Sequence, residues 1–177
     1  EGFSITAGNS SGTNDAAAAV ALVADDYAAA ENLNVLATVK AWAAVGVAAR
    51  DTGLGGVEVI GKVLGRAGLK PSDVTLWEIN EAFASVPIAA VRKYGIDEEL
   101  VNFSGSGCSL GHPISASGAR MVTTLIYELQ RRGGGIGVAA MCAGGGQGGA
   151  VVIDNSSAFR YDEDVPLVVL LEHGAQV

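Results

Sequence analysis

Residues 136–154 read IGVAAMCAGGGQGGAVVID, in which two apolar runs flank a turn made almost entirely of glycine. The first run, 136–141, is typical of a fully buried β-strand, and residues 150–154 predict a second strand after the turn. Buried strands of this kind are covered by helices on both faces of a sheet. The stretch therefore predicts the interior of an α/β fold.

Strand and helix patterns alternate from residue 33 onward, in the order β-α-β-α-β-α-β-β. Besides the two strands above, we predict strands at 33–47, 74–79 and 100–103, and helices at 57–67, 81–94 and 113–132. Residues 53–56 predict a turn before the first of these helices. This order predicts a mainly parallel five-stranded sheet with helices on both faces. Upstream, we expect a short strand at 2–7 and an Ala-rich helix at 14–27.

The composition describes an acidic globular chain. The 177 residues contain 11 Lys+Arg and 19 Asp+Glu, a net charge of −8, with 49% apolar and 17% charged residues. Scattered basic residues argue against nucleic acid as a partner. Two cysteines favour a reducing compartment, the cytoplasm. No apolar run approaches the ~20 residues of a membrane span, and the start at Glu1 without Met leads us to expect a segment upstream.

The segment 104–120, SGSGCSLGHPISASGAR, contains a histidine at the start of a predicted helix. Pro113 suits the first helical position, since a missing N–H costs nothing there. The helix dipole disfavours an imidazolium at this end, so His112 is predicted to stay neutral and to act as a base or hydrogen-bond donor. A structural histidine in a glycine-rich turn is the alternative.

Two further positions follow the ends of predicted strands, where sheets of this class carry their chemistry. Cys142 ends an apolar strand and is followed by three glycines, whose N–H groups are free to face a reacting oxygen. Its thiol is a candidate nucleophile, acid or base, or simply a buried cysteine. Asn80 ends the strand at 74–79, where it orients a water or substrate oxygen or caps the following helix.

Other chemistries have weaker signals. Residues 8–12, GNSSG, fit the G-x-S-x-G nucleophile elbow of hydrolases, with Ser10 as nucleophile and His112 downstream, although that fold places several strands before the elbow. Neither the dinucleotide-binding spacing of glycines nor a phosphate-binding G-K-[ST] is present. No paired C-x-x-C occurs around Cys108, His112 and Cys142, so we predict no metal site.

Four segments in series together resemble the thiolase family, which comprises acetyl-CoA acetyltransferases and 3-ketoacyl-CoA thiolases. They are TAGNSSGTNDAAAA at 6–19, NEAFA at 80–84, GCSLGHPISASGAR at 107–120 and CAGGGQGGA at 142–150. The resemblance implies a thiolase-like fold, in which two similar halves stack as five layers, αβαβα. By this resemblance residues 1–31 end the N-terminal domain, 32–154 form the C-terminal domain, and 155–177 are a tail of unknown role.

The resemblance also implies roles for residues within these motifs. His112 corresponds to the histidine that activates the nucleophilic cysteine and, with a water held by Asn80, lines one oxyanion hole. Cys142 corresponds to the second catalytic cysteine, which removes or returns the α-proton. The Gly144 N–H serves the second oxyanion hole. The residues expected to contact the pantetheine arm of CoA are Ala7, Ser11 and Phe83.

The implied function is Claisen condensation or thiolytic cleavage of 3-ketoacyl-CoA. Acyl-CoA and CoA would be substrates and products, with no permanently bound cofactor. The acyl-accepting cysteine of the family lies in the first half and has no counterpart here, Cys108 stands where the family is usually apolar, and Ser115 replaces a common glycine. We therefore expect as partners a complementary N-terminal half and further copies in a homo-oligomer. The alternative is a non-catalytic acyl-CoA-binding or assembly subunit.

Overall fold

The computed structural model describes residues 5–156 and 167–169. Its strands are Ala21–Val23 (β1), Ala37–Gly46 (β2), Leu76–Ile79 (β3), Ile136–Ala143 (β4), Gln147–Asp154 (β5) and Leu167–Val169 (β6). Its α-helices are Asp25–Ala30 (α1), Thr52–Ala67 (α2), Ser85–Tyr94 (α3) and Ile114–Arg131 (α4). The α/β class, four of the five predicted strands and the three helices after residue 33 are therefore confirmed.

The sheet is mixed and has six strands, so the prediction of a mainly parallel five-stranded sheet is wrong. The strand order is β1-β6-β2-β5-β4-β3, and only β3 and β4 pair in parallel. The three residues between β4 and β5 are too few for a crossover, so β5 runs back antiparallel to β4. It also lies beside β2, again antiparallel. Strand β5 thus lies between β2 and β4, two strands that run parallel to each other.

Helices cover both faces of the sheet, as predicted. On one face α2 and α3 pack on alternate residues of the strands, among them Trp77, Val138 and Val152. On the other face α4 packs Leu125 and Leu129 against the intervening residues, such as Leu76 and Ala139. Side chains alternate across a strand with a period of two, which explains why one strand serves both cores. Strands β3 and β4 run side by side in the same direction, so their carboxyl ends lie at the same edge of the sheet.

Helix α2 begins at Thr52, so the turn predicted at 53–56 is wrong. Two of its glycines are needed for close packing of the helix on the sheet. A Cβ on Gly55 would overlap the backbone of Gln147, and one on Gly56 would lie 2.9 Å from the Cys142 nitrogen. Glycine at these positions lets the helix backbone touch strands β4 and β5, which local sequence does not reveal.

The region before residue 33 differs most from the prediction. Residues 5 and 6 of the predicted first strand are irregular, residues 7–9 form a 3-10 turn, and 2–4 lie outside the described residues. The predicted helix at 14–27 is reduced to α1, Asp25–Ala30. Residues 12–19 are exposed, and alanine propensity alone does not sustain a helix without a packed face.

The strand predicted at 100–103 is replaced by a side-chain contact. Only Val101 forms a β-bridge, to Trp77. The Asn102 side chain then accepts the Ile79 N–H and donates to the Ile79 carbonyl, both at 2.8 Å. An amide side chain thus continues the ladder along β3 in place of a backbone strand. No helix within the described residues is long and apolar enough to cross a bilayer.

Candidate active site

Asn80 lies at the carboxyl end of β3 and joins three elements. Its N–H donates to the Ala140 carbonyl of β4 at 2.9 Å. Its side chain is 0% exposed, and Nδ2 lies 3.2 Å from Nε2 of His112. The Oδ1 atom has no hydrogen-bond partner among the described residues. A buried carbonyl oxygen without a partner is costly, so this atom is poised to accept a hydrogen bond from a water or substrate.

His112 is held from its backbone by the N-terminal segment. Thr13 forms a parallel β-bridge with it, and the His112 N–H donates to Oδ1 of Asn14 at 3.0 Å. Gly111, just before it, has φ +100°, and a Cβ there would lie 2.5 Å from the Asn14 side chain. Glycine at residue 111 therefore allows both the turn and the contact with Asn14.

The second ring nitrogen of His112 lies 2.6 Å from the Ser117 hydroxyl. That hydroxyl donates to the Pro113 carbonyl at 3.1 Å, so it accepts from Nδ1–H of the ring. The proton of the neutral imidazole is thereby assigned to Nδ1, and the Nε2 lone pair accepts from the Asn80 amide. Burial, with a smaller contribution from the charge of Arg120, lowers the pKa of His112 below its usual 6.5. The ring is a neutral base at pH 7.

Cys142 lies near the end of β4, two residues beyond the Ala140 carbonyl that binds Asn80. Its side chain is buried, and burial raises the pKa of its thiol above 9. The thiol is therefore protonated at neutral pH and suited to donate a proton, or to accept one once deprotonated. Gly144, in the following turn, has open space around its Cβ position.

The three residues expected to contact CoA lie on or beside the N-terminal segment. Phe83 forms an antiparallel bridge with Ser10, and the Ser11 N–H donates to the Ala82 carbonyl at 3.1 Å. Ser11 and Phe83 are thus brought close together, and both are half-buried. Ala7 lies in the exposed 3-10 turn that precedes them.

The hydrolase interpretation of Ser10 does not fit this geometry. The Ser10 hydroxyl donates to the Thr6 carbonyl at 2.8 Å, so its proton is held by a backbone carbonyl and not by His112. The strand and helix that flank a nucleophile elbow are also missing around residues 8–12. Ser10 is therefore not the base-activated serine that this mechanism requires.

Sequence reasoning missed the residues that orient the site. Ser117 was not singled out, although a serine five residues after a helix-starting histidine lies on the first turn. Asn14 carried no signal, because its contact spans 98 positions of chain. The Glu81 carboxylate accepts from the Cys108 N–H at 3.0 Å and from the Asn102 amide at 3.1 Å. It thereby ties the loop before His112 to the end of β3.

Comparisons with known proteins agree with this architecture. Residues 33–155 match the family model described as thiolase, C-terminal domain. The chain is 45% identical over 150 residues to an acetyl-CoA acetyltransferase of Escherichia coli K12, and equally to a 3-ketoacyl-CoA thiolase of Bacillus subtilis 168. Each alignment covers 85% of this chain and 38% of the relative. The chain thus spans well under half of the length of these relatives.

Solved structures give the same result. The Bacillus anthracis acetyl-CoA acetyltransferase superposes with a TM-score of 0.82 at 41% identity, over 85% of this chain and 38% of that one. Human mitochondrial 3-ketoacyl-CoA thiolase in complex with CoA superposes with a TM-score of 0.79 at 36% identity, over 86% and 39%. The fold prediction is confirmed as thiolase-like.

Proposed function

This chain belongs to the thiolase family, and we propose that it supplies the C-terminal part of an acyl-CoA acyltransferase active site. The reaction is Claisen condensation of two acyl-CoA molecules or the reverse, thiolytic cleavage of a 3-ketoacyl-CoA. The observation that carries the proposal is the chain of contacts from Asn80 through His112 to Ser117, directly beside the strand that bears Cys142.

The His112 imidazole acts first as a base and then as a donor. In the reaction the Nε2 lone pair exchanges its contact with the Asn80 amide for the nucleophilic cysteine, which the complementary N-terminal half supplies, and takes the proton of that cysteine. The resulting Nε2–H then faces the thioester oxygen together with a water held by Asn80. Asn80 Oδ1, buried and without a partner among the described residues, suits the anchoring of that water.

Cys142 removes or returns the α-proton. In condensation its thiolate removes the proton from acetyl-CoA, and in thiolysis its thiol protonates the departing enolate. The Gly144 N–H stabilises the negative charge on the enolate oxygen, because a base and an oxyanion donor must act together on so weak a carbon acid. The raised pKa of Cys142 favours the protonated thiol, which is the form that thiolysis requires.

CoA enters as substrate and leaves as product, with its pantetheine arm along Ala7, Ser11 and Phe83.

The chain comprises three parts in this proposal. Residues 1–31 are the end of the first domain, residues 32–154 are the second domain, and residues 155–177 are a tail. Free cysteines among the described residues suit a cytoplasmic location.

A complementary N-terminal half has a surface to cover. Leu110 is 57% exposed and Ile114 is 75% exposed, at the start of α4 beside His112. An apolar groove of about 240 Å³ lies between α4 and β4–β5 and is lined by Met121, Val122 and Met141, among others. Apolar surface of this kind supports association with that half and, in the complete protein, with further copies.

The test is reconstitution. The chain is joined to, or co-expressed with, the N-terminal part of the E. coli relative, and cleavage of acetoacetyl-CoA by CoA is followed. Turnover should appear and should fall at least ~10³-fold in H112A and in C142A, whereas C108S should keep it. CoA binding without turnover in the joined protein would instead indicate an acyl-CoA-binding subunit.

A further inference from the structure

The buried face of β3 carries a carboxylate that no step of the proposed reaction uses. The Glu78 side chain is 0% exposed, and its Oε2 atom accepts from Nη1 of Arg120 at 2.6 Å. Its Oε1 atom has no hydrogen-bond partner among the described residues. Well-packed apolar residues usually stabilise a protein at least as well as such a pair. Stability alone therefore does not explain why Glu78 and Arg120 occupy this position.

The pair runs parallel to the contacts of the site. Glu78 and Asn80 are two residues apart along β3, and Ser117 and Arg120 are three residues apart along α4. Residues at these spacings share one face of a strand and of a helix. Strand and helix are thus linked twice, by Asn80–His112–Ser117 and by Glu78–Arg120. The ion pair is the link that lies farther from the carboxyl end of β3.

The electrostatics of the pair are asymmetric. Arg120 is always protonated, and its charge adds to burial in lowering the pKa of His112. Burial raises the pKa of Glu78 to about 7, against the effect of Arg120. Near neutral pH the carboxyl is therefore protonated in part, and it compensates the guanidinium charge only in part.

The elements around His112 add few other charges. The loop after β3 carries Glu81, whose carboxylate is bound by Cys108 and Asn102. Strand β4 contributes the thiol of Cys142, protonated at neutral pH. The N-terminal segment contacts His112 through the neutral Thr13 and Asn14, and the exposed Asp15 follows them. Arg120 is thus the permanent positive charge of this group.

We propose that Glu78 and Arg120 are a positioning pair for His112, because their contact fixes α4, which carries Ser117, against β3, which leads into Asn80. The guanidinium of Arg120 also acts on the imidazole through its charge. The pair rests on the proposed function only in that His112 is the base of the reaction. Its effect on the ring itself requires no turnover, so it is measured on the chain alone.

The experiment is an NMR titration of the His112 ring in the full 177-residue chain, with H173Q used to assign the second histidine. In R120M the titration midpoint should move up, because the lowering charge is gone. In R120K, which keeps a charge, the midpoint should stay below that of R120M. In E78Q it should not rise, because that variant removes negative charge and leaves the guanidinium in place.

The double variant E78L/R120M covers the case in which R120M fails to fold, since a matched apolar pair replaces a buried ion pair without leaving a lone charge. Its midpoint should also move up. The matched control is E58Q/K93M, which removes an exposed pair with the same 2.6 Å separation and should leave the ring unchanged. An unshifted midpoint in R120M and in E78L/R120M, or an equal rise in E78Q, would overturn the proposal.

Kinetics of the reconstituted enzyme separate this proposal from the one before it. If the midpoint shifts as expected but neither the wild type nor any variant is active, the positioning pair is supported and the acyltransferase proposal fails. If the enzyme turns over while R120M and E78L/R120M titrate as wild type, the function stands and the pair is only structural. In an active enzyme R120M should move the acid limb of kcat/KM to higher pH.

Discussion

Two glycine-rich loops adjoin the candidate site residues His112 and Cys142, and different contacts hold the two loops in place. The hairpin after Cys142 is held by backbone packing, since a Cβ on Gly148 would overlap the Gly55 carbonyl and one on Gly146 the Val47 carbonyl. The loop before His112 has one such backbone contact, between Gly107 and the Glu81 carbonyl, and its further contacts come from polar side chains, namely Ser109, Glu81 and Asn14. Backbone packing tolerates no added atom, whereas each polar contact is lost singly.

The largest expected effect is therefore on the hairpin. Gly148→Ala places a methyl group into the backbone of α2, and neither backbone yields as a flexible side chain would. We expect a loss of at least about 2 kcal/mol in the free energy of unfolding, measured by urea denaturation. The matched control is Gly149→Ala, where nothing lies within 4 Å of the added Cβ. Equal losses in both variants would contradict the close-packing argument.

A smaller effect is expected where the histidine loop meets α4. Ser117→Ala removes the acceptor of the Nδ1–H of His112, so the ring loses its tautomer and orientation. In the reconstituted enzyme kcat/KM should fall about 10- to 100-fold, the equivalent of one lost buried hydrogen bond. Thr123→Ala is the control, because that hydroxyl also donates to a carbonyl four residues earlier and is remote from the ring in sequence. A similar fall in T123A would indicate general damage to α4.

The smallest effect concerns the two cysteines, one in the loop before His112 and one near the end of β4. Cys108 is exposed and Cys142 is buried, and burial is the first cause that raises the pKa of each thiol above 9. Thiolate is the reactive form, so iodoacetamide should modify both slowly at pH 7 and faster as the pH rises toward 9. At every pH Cys108 should react before Cys142, as followed by mass spectrometry with C108S as control. Faster labelling of Cys142 would show that the hairpin opens.

The prediction succeeded where local pattern and packing agree. The apolar runs that form β2, β3, β4 and β5 are buried among helices, so their composition reports their environment directly. It failed at residues 14–27, where alanine favours a helix but no tertiary surface covers one. It failed again at 53–56, because glycine is required both for the close packing of a helix and for tight turns. The sequence does not distinguish these two uses.

The site shows the same division. Motif spacing singled out Asn80 and His112, and the structure places their side chains 3.2 Å apart. The roles proposed for these two residues and for Cys142, Gly144, Ala7, Ser11 and Phe83 stay predictions. Ser117, Asn14 and the Glu78–Arg120 pair were missed, because a polar residue in a helix or strand looks solvent-exposed until its partner is known.

Residue periodicity and short motifs were enough to establish the α/β class and the family and to name the candidate residues of the site, since all of these are read locally along the chain. The direction of the strands, the tautomer of His112 and the burial of the ion pair became evident only from the three-dimensional arrangement. Each of these depends on which atoms meet across distant parts of the chain. Hydrogen bonds and charges act between such atoms in space, and a linear order of residues does not contain their distances.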